Sequence, residues 1–192
     1  MCDIIMLTNS KRNPKPNTAH DVREKKSMIA KIMEEMIHFY KGSVHDIEHF
    51  LKVHAYTRLI GLSEGLDADM QETLEIAAVV HDISCPMLRE KYGHANGKLQ
   101  EETSEEILRP FLHAFDIDKS IAERIIRLVS RHHTTENVDG IDHQILLEAD
   151  FLVNASEGHM EKETVRRFRD EIAKTDTGKR LFDSIYRLNE YK

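Results

Sequence analysis

Residues 77–85 read A-A-V-V-H-D-I-S-C and close an apolar run that begins at Ile76. Alanines and valines with no polar residue between them describe a helix buried on every side, not one with a wet face. His81 and Asp82 stand where that run ends. Two polar side chains at the edge of a core need partners, because burying them unpaired costs several kcal/mol. A metal ion is one partner that suits a neutral imidazole and a carboxylate together. The remaining ligands must then come from elsewhere in the chain.

Upstream of this stretch, Asp67 is placed to cap the buried helix, and Leu74 belongs to its core face. A first helix is expected to start after Thr18, with Asp21 at the capping-box position, and to end at Gly42. Its stripe is Ile29, Ile32, Met33, Met36, Ile37 and Tyr40, and His38 falls off it as a solvated position. Ser43 is expected to cap a second helix, with Asp46 three residues on, running to about Glu64 before Gly65. Its main stripe is Ile47, Phe50, Leu51, Leu59 and Leu62, and an adjoining one is His49, Val53, Tyr56 and Ile60. His49 therefore points inward. His45 and His49 are four apart, but the string is H-D-I-E-H and not the H-E-x-x-H of a metalloprotease.

Downstream, Pro86 prevents the buried helix from continuing, and residues 86–98, with Gly93 and Gly97, read as an irregular segment. A fourth helix is expected from about Leu99 to Leu108, with Pro110 kinking or restarting it ahead of Phe111, Leu112 and Phe115. Asp118 caps a fifth, in which Ile121, Ile125, Leu128 and His132 share one face and Ala122, Ile126, Val129 and His133 the next. A sixth is expected to start at Asp142, and it carries Glu148 and Asp150 inside an apolar run. Asp150 follows Leu146 by four residues and precedes Val153 by three, so it lies on a core-facing stripe. From Lys162 two short helices follow, with Val165/Phe168/Ile172 and Leu181/Phe182/Ile185 as their apolar sets and Arg166, Arg167 and Arg169 as a solvated basic face. No strand pattern is found, so the class is all-α.

Length and composition fit this reading. A chain of 192 residues is expected to form a lead-in over 1–18 and one helical domain over 19–192, large enough to bury a core without disulfides. The two cysteines, Cys2 and Cys85, form no CxxC pair, which points to a reduced, cytoplasmic protein without cysteine-ligated zinc. A formal charge of −7 argues against non-specific nucleic-acid binding, and no apolar run approaches the ~18 residues of a membrane span. The first residues lack the basic segment of a secretory signal. Twelve histidines are an ample supply of ligands.

Collected in order, the inward polar residues are His49, His81–Asp82, His132–His133 and Asp150. They are separated by 81 − 49 = 32 and 150 − 82 = 68 residues, so only a helical bundle brings them together. The strings H-F-L-K-V at 49–53, A-A-V-V-H-D-I at 77–83, R-H-H-T at 131–134 and E-A-D-F-L at 148–152 give the chain its resemblance to the HD-domain superfamily over roughly residues 43–156. The resemblance implies an all-helical bundle whose first metal is held by His49, His81, Asp82 and Asp150. In two-metal relatives Asp82 would bridge, and a second ion would draw on His132 and His133 with a residue after the His-Asp pair. Glu101, at the start of a helix, is preferred for that place over His94, which lies in a glycine-flanked loop. The string Y-G-H-A-N-G-K-L-Q-E also resembles a bacterial subgroup of the superfamily. Ser84 stands where many two-metal members have glycine, and the Gly-Tyr-Pro signature of cyclic-dinucleotide phosphodiesterases is missing, which sets that activity aside.

The resemblance implies a metal-dependent phosphohydrolase acting on a small phosphorylated substrate, a nucleotide foremost. One or two divalent ions of Fe, Mn, Ni, Co or Zn per chain would activate water, with Asp82 orienting the nucleophile. The proton for the leaving oxygen is assigned to Glu101 or to a free imidazole of the 132–133 pair. Lys52, nearly one turn after His49, and Lys98, before Glu101, are the candidate phosphate contacts, although an ordinary solvated lysine fits each position as well. The alternatives are a non-catalytic metal-binding or signalling module and, further off, a di-iron oxygenase of the same superfamily. A homodimer is compatible with the sequence.

Overall fold

The computed structural model describes residues 18–189, with side chains from residue 28 onward. The expected lead-in and the capping role of Thr18 and Asp21 fall outside what is described. Among the described residues nine α-helices follow one another: α1 Thr18–Tyr40, α2 Val44–Ser63, α3 Ala68–Val80, α4 Cys85–Tyr92, α5 Gly97–His113, α6 Lys119–Val129, α7 Gly140–Glu157, α8 Lys162–Glu171 and α9 Asp176–Ile185. No strand occurs among the described residues. None of their helices is long and apolar enough to cross a membrane.

The bundle is built around α3. Asp67 accepts the Met70 amide at 2.9 Å and starts the helix, as its position requires. Ala77, Ala78, Val79 and Val80 are then fully enclosed by α1, α2, α6 and α7. A helix surrounded in this way delivers His81 and Asp82 into the interior when it ends. The Tyr40 hydroxyl, at the end of α1, donates to the Asp82 carbonyl at 2.7 Å and pins the turn.

The second helix buries the face that carries His49, Val53 and Ile60, whereas Leu59 and Leu62 of its expected main stripe are exposed. Gly61 explains the rotation. A Cβ at that position would lie 2.3 Å from Gln71 Oε1, so α3 approaches α2 on the glycine side. Ser43 makes no side-chain cap; it donates to Asp46 at 2.5 Å. Asp46 in turn takes a bidentate pair from Arg89 at 2.6 and 2.9 Å.

Boundaries differ from the sequence reading at three helices. Residues 85–92 form α4 and not an irregular segment, because Pro86 occupies the first turn, where its missing N–H is no loss. Gly93, at φ +77°, ends α4 in the left-handed conformation. The second is α5, which runs through Pro110 to His113. Leu108 and Leu112 are both buried there, and continuing that apolar stripe outweighs the backbone bond lost at proline. Helix α7 starts at Gly140, so Asp142 is inside it, buried and paired with Arg124 at 2.6 and 2.8 Å. In α9, Ile185 is exposed while Phe182 is fully buried.

Candidate metal centre

Four helix segments converge at one end of the bundle. His49 comes from the buried face of α2 and Asp150 from α7; His81 and Asp82 follow α3, and His132 and His133 follow α6. His81 and His132 are fully buried, His49 and Asp150 nearly so. Three sets of these side chains, His49/His81/Asp150, His81/Asp82/His132 and His132/His133/Asp150, have ligand atoms within 4.8 Å of one another. The sets share members, so the six residues form one continuous cluster that could hold a metal.

The cluster has two lobes, because each carboxylate divides its oxygens. Asp82 Oδ2 lies 3.6 Å from both His49 Nε2 and His81 Nε2, while its Oδ1 lies 3.5 Å from His132 Nε2. Asp150 Oδ1 lies 3.3 Å from His49 Nε2 and 3.4 Å from His81 Nε2, while its Oδ2 lies 3.9 Å from His133 Nδ1. One lobe therefore presents His49, His81 and one oxygen from each aspartate. The other presents His132, His133 and the second oxygen of each.

The far side of every imidazole is tied down. His81 Nδ1 bonds the Ala78 carbonyl at 2.8 Å and His132 Nδ1 the Val129 carbonyl at 2.6 Å. A carbonyl only accepts, so in the neutral ring the hydrogen sits on Nδ1 and Nε2 is a bare lone pair. His49 Nδ1 faces Glu157 Oε2 at 2.9 Å with the same consequence. His133 is reversed: its Nε2 meets the Gln100 side-chain carbonyl at 3.0 Å, which leaves Nδ1 bare toward Asp150. His132 Nε2 is buried with no hydrogen-bond partner. Four lone pairs turned on two carboxylates, one of them orphaned in the interior, are the donor set of a divalent transition metal, and the residues fit it.

The electrostatics reflect the crowding. Burial pushes the Asp82 and Asp150 carboxyls upward, but the surrounding imidazoles outweigh it and both are held well below the usual carboxylate range. Burial lowers His49, yet the bond to Asp150 and the charges of Asp82 and Asp150 raise it to about 9. His133, pressed by burial and then by the positive charge of His132, falls to about 4.

The other expected site residues lie outside the cluster. The Glu101 carboxylate accepts the His133 backbone amide at 3.0 Å and the Thr134 hydroxyl at 2.9 Å. It holds the turn after α6 and belongs to none of the three ligand sets found among the described residues. His94 is exposed. Lys98 is exposed and pairs only loosely with Glu102, at 3.8 Å. Lys52 bonds Glu157 Oε1 at 3.1 Å, so it anchors the carboxylate that orients His49.

Three supporting residues were not singled out in the sequence. Asn154 donates to Asp150 Oδ1 at 2.8 Å, Glu157 orients His49, and Gln100 orients His133. Asn154 and Glu157 follow Asp150 by four and seven residues on one helix face, a spacing that was the available signal. A cleft of about 660 Å³ opens on Asp150 and His133, with an apolar wall from Leu147, Phe151, Met160 and Phe168 and with His45 and Glu157 also in its lining.

Compared with known proteins, residues 46–172 match the family model described as HD domain. No curated protein and no solved structure matches the chain.

Proposed function

This chain belongs to the HD-domain family, whose model spans more than half of it, and we propose that it is a metal-dependent phosphohydrolase acting on a small phosphate ester, a nucleotide foremost. The observation that carries the reading is the two-lobed cluster, in which four imidazoles each have one nitrogen fixed by an acceptor and the other turned on the aspartate pair. A divalent ion in such a setting lowers the pKa of water toward neutrality and polarises a phosphoryl oxygen.

His49, His81, Asp82 and Asp150 are the residues to hold a first ion, and His132 and His133 with the second oxygens of both aspartates are those to hold another. Asp82 and Asp150 would balance the charge of such ions, each sharing its oxygens between the two lobes. Glu157, Ala78 and Val129 fix the ring orientations. The cleft beside Asp150 is of the volume small-molecule sites use, and Phe151 and Leu147 offer an apolar surface to the body of an ester. Outside the cluster, His45 and Glu157 are the titratable groups among the described lining residues. His45 Nε2 sits 3.5 Å from Glu157 Oε2, which makes this pair our candidate proton donor for a leaving oxygen.

The test is phosphate release from a panel of phosphate esters by the chain reconstituted with Mn²⁺. Activity that disappears on chelation and falls by at least about 100-fold in Asp82→Asn, with helicity retained, supports the reading. A panel left untouched by protein shown to contain the metal contradicts it.

A further inference from the structure

We propose that the first turn of α5 seats the second lobe: Gln100, packed against His133, fixes that ring so that Nδ1 is its ligating atom, and Gly97 leaves the space in which the ring lies. The inference rests on the reading of the cluster as a metal centre. Within five residues of chain, α5 grips three different parts of His133. Glu101 accepts its backbone amide at 3.0 Å. Gln100 Oε1 meets ring Nε2 at 3.0 Å. Gly97 lies against the ring, where a Cβ would stand 2.7 Å from Cδ2 and 2.8 Å from Cγ.

A long bond from the Gln100 amide favours one of its two orientations. Its nitrogen points to the Ala95 carbonyl at 3.4 Å, which turns Oε1 to the imidazole. An amide oxygen accepts, so the His133 hydrogen is drawn to Nε2 and the lone pair to Nδ1. His49, His81 and His132 have the opposite arrangement, with Nδ1 tied and Nε2 turned inward. His133 is also the one imidazole of the four with appreciable exposure, 31 % at the side chain, so the surrounding core does not hold it. The hold comes from α5, a helix that itself contributes no group to the cluster among the described residues. Gln100 and Gly97 are thus positioning residues for the second ion and leave the first lobe untouched.

The experiment is an Mn²⁺ titration of the full chain, followed by elemental analysis and by the electron paramagnetic resonance signal of a coupled Mn pair. The wild type is expected to bind two ions and to show the coupled signal. Gln100→Ala and Gly97→Ala are each expected to weaken the second ion roughly 10–100-fold and to lose the signal while the first ion binds as before. Retention of the first ion reports that the fold is intact. Gln100→Glu keeps an acceptor for Nε2–H and is expected to keep the second ion. The inference is overturned if both ions bind Gln100→Ala and Gly97→Ala as tightly as the wild type, or if the wild type binds a single ion that His133→Ala does not disturb. A wild type that binds no ion overturns the metal-centre reading as well.

Discussion

His49 Nε2 and His81 Nε2 lie 3.1 Å apart, and in the neutral rings neither has a hydrogen to place between them. His81 commits its hydrogen to the Ala78 carbonyl and His49 to Glu157. Two lone pairs at that distance repel unless a proton or a metal cation lies between them, and the proton that the neighbouring aspartates favour on His49 occupies the place a metal ion would take. His49→Ala removes half of the first lobe's nitrogen donors and is expected to abolish tight binding of one ion, measured as metal content after gel filtration. His81→Ala is expected to do the same, with an added loss of about 1–3 kcal/mol because the Ala78 carbonyl is left without its partner.

Glu157 acts on the same lobe from outside it. Its carboxylate holds His49 Nδ1 at 2.9 Å and is itself held by Lys52 at 3.1 Å. Glu157→Gln removes the charge that favours the Nδ1–H orientation. The expected result is a loss of roughly 10–100-fold in affinity for the first ion, read by competition with a chelating dye, with little change in melting temperature. Lys52→Met is expected to move the same affinity in the same direction by a smaller factor.

Glu148, two residues before Asp150 on α7, belongs to the fold and not to the site. Fully buried, it accepts from the Gln144 amide at 2.7 Å, the Lys174 amide at 2.7 Å and both the amide and the hydroxyl of Thr175. It fastens the link between α8 and α9 to the bundle. Glu148→Ala is expected to cost at least about 3 kcal/mol in chemical denaturation, since several buried donors lose their acceptor at once. Metal content per folded chain is expected to stay at the wild-type value.

The Asp46–Arg89 pair ties α4 to α2 and gives a sign for the acid limb of stability. Burial alone would raise the Asp46 carboxyl, but the bonds from Arg89 and Ser43 outweigh it and lower it below its ordinary value. A group depressed in the folded state stabilises fully above its unfolded pKa, and that contribution disappears as the pH falls through its folded one. Asp46→Asn is expected to lose roughly 1.5–3 kcal/mol at neutral pH and to lose less as the pH is lowered below the carboxylate range. Denaturant midpoints measured across acid pH check it; a difference between variant and wild type that does not shrink at low pH would exclude the pair as the cause.

The cluster was legible in the sequence because its members contradict their surroundings. His81 and Asp82 close the apolar run 76–80, and Asp150 interrupts the apolar run 145–153, so each needed an explanation that surface exposure does not supply. Glu148 shows where that logic stops. It interrupts the same run, and only helix geometry separates it from Asp150: two residues at 3.6 per turn point about 200° apart, toward the α8–α9 link and toward the cluster. The supporting residues were less visible. Gln100 and Glu157 sit among other polar residues, and nothing local says which of them faces a histidine more than 30 or 100 positions away. Helix α4 was obscured by Pro86 and by a charged composition that hides the buried pair Cys85 and Leu88. Leu59 and Leu62 were misplaced because Gly61, a residue without a side chain, decides which face of α2 meets α3.

The most direct test of the account is an anomalous diffraction map of crystals grown with Mn²⁺ and without chelator. The account predicts a peak enclosed by His49 Nε2, His81 Nε2, Asp82 Oδ2 and Asp150 Oδ1, with a second enclosed by His132 Nε2, His133 Nδ1 and the other two aspartate oxygens. A map with no peak among these six side chains, at an Mn²⁺ concentration sufficient to label other sites, would contradict it.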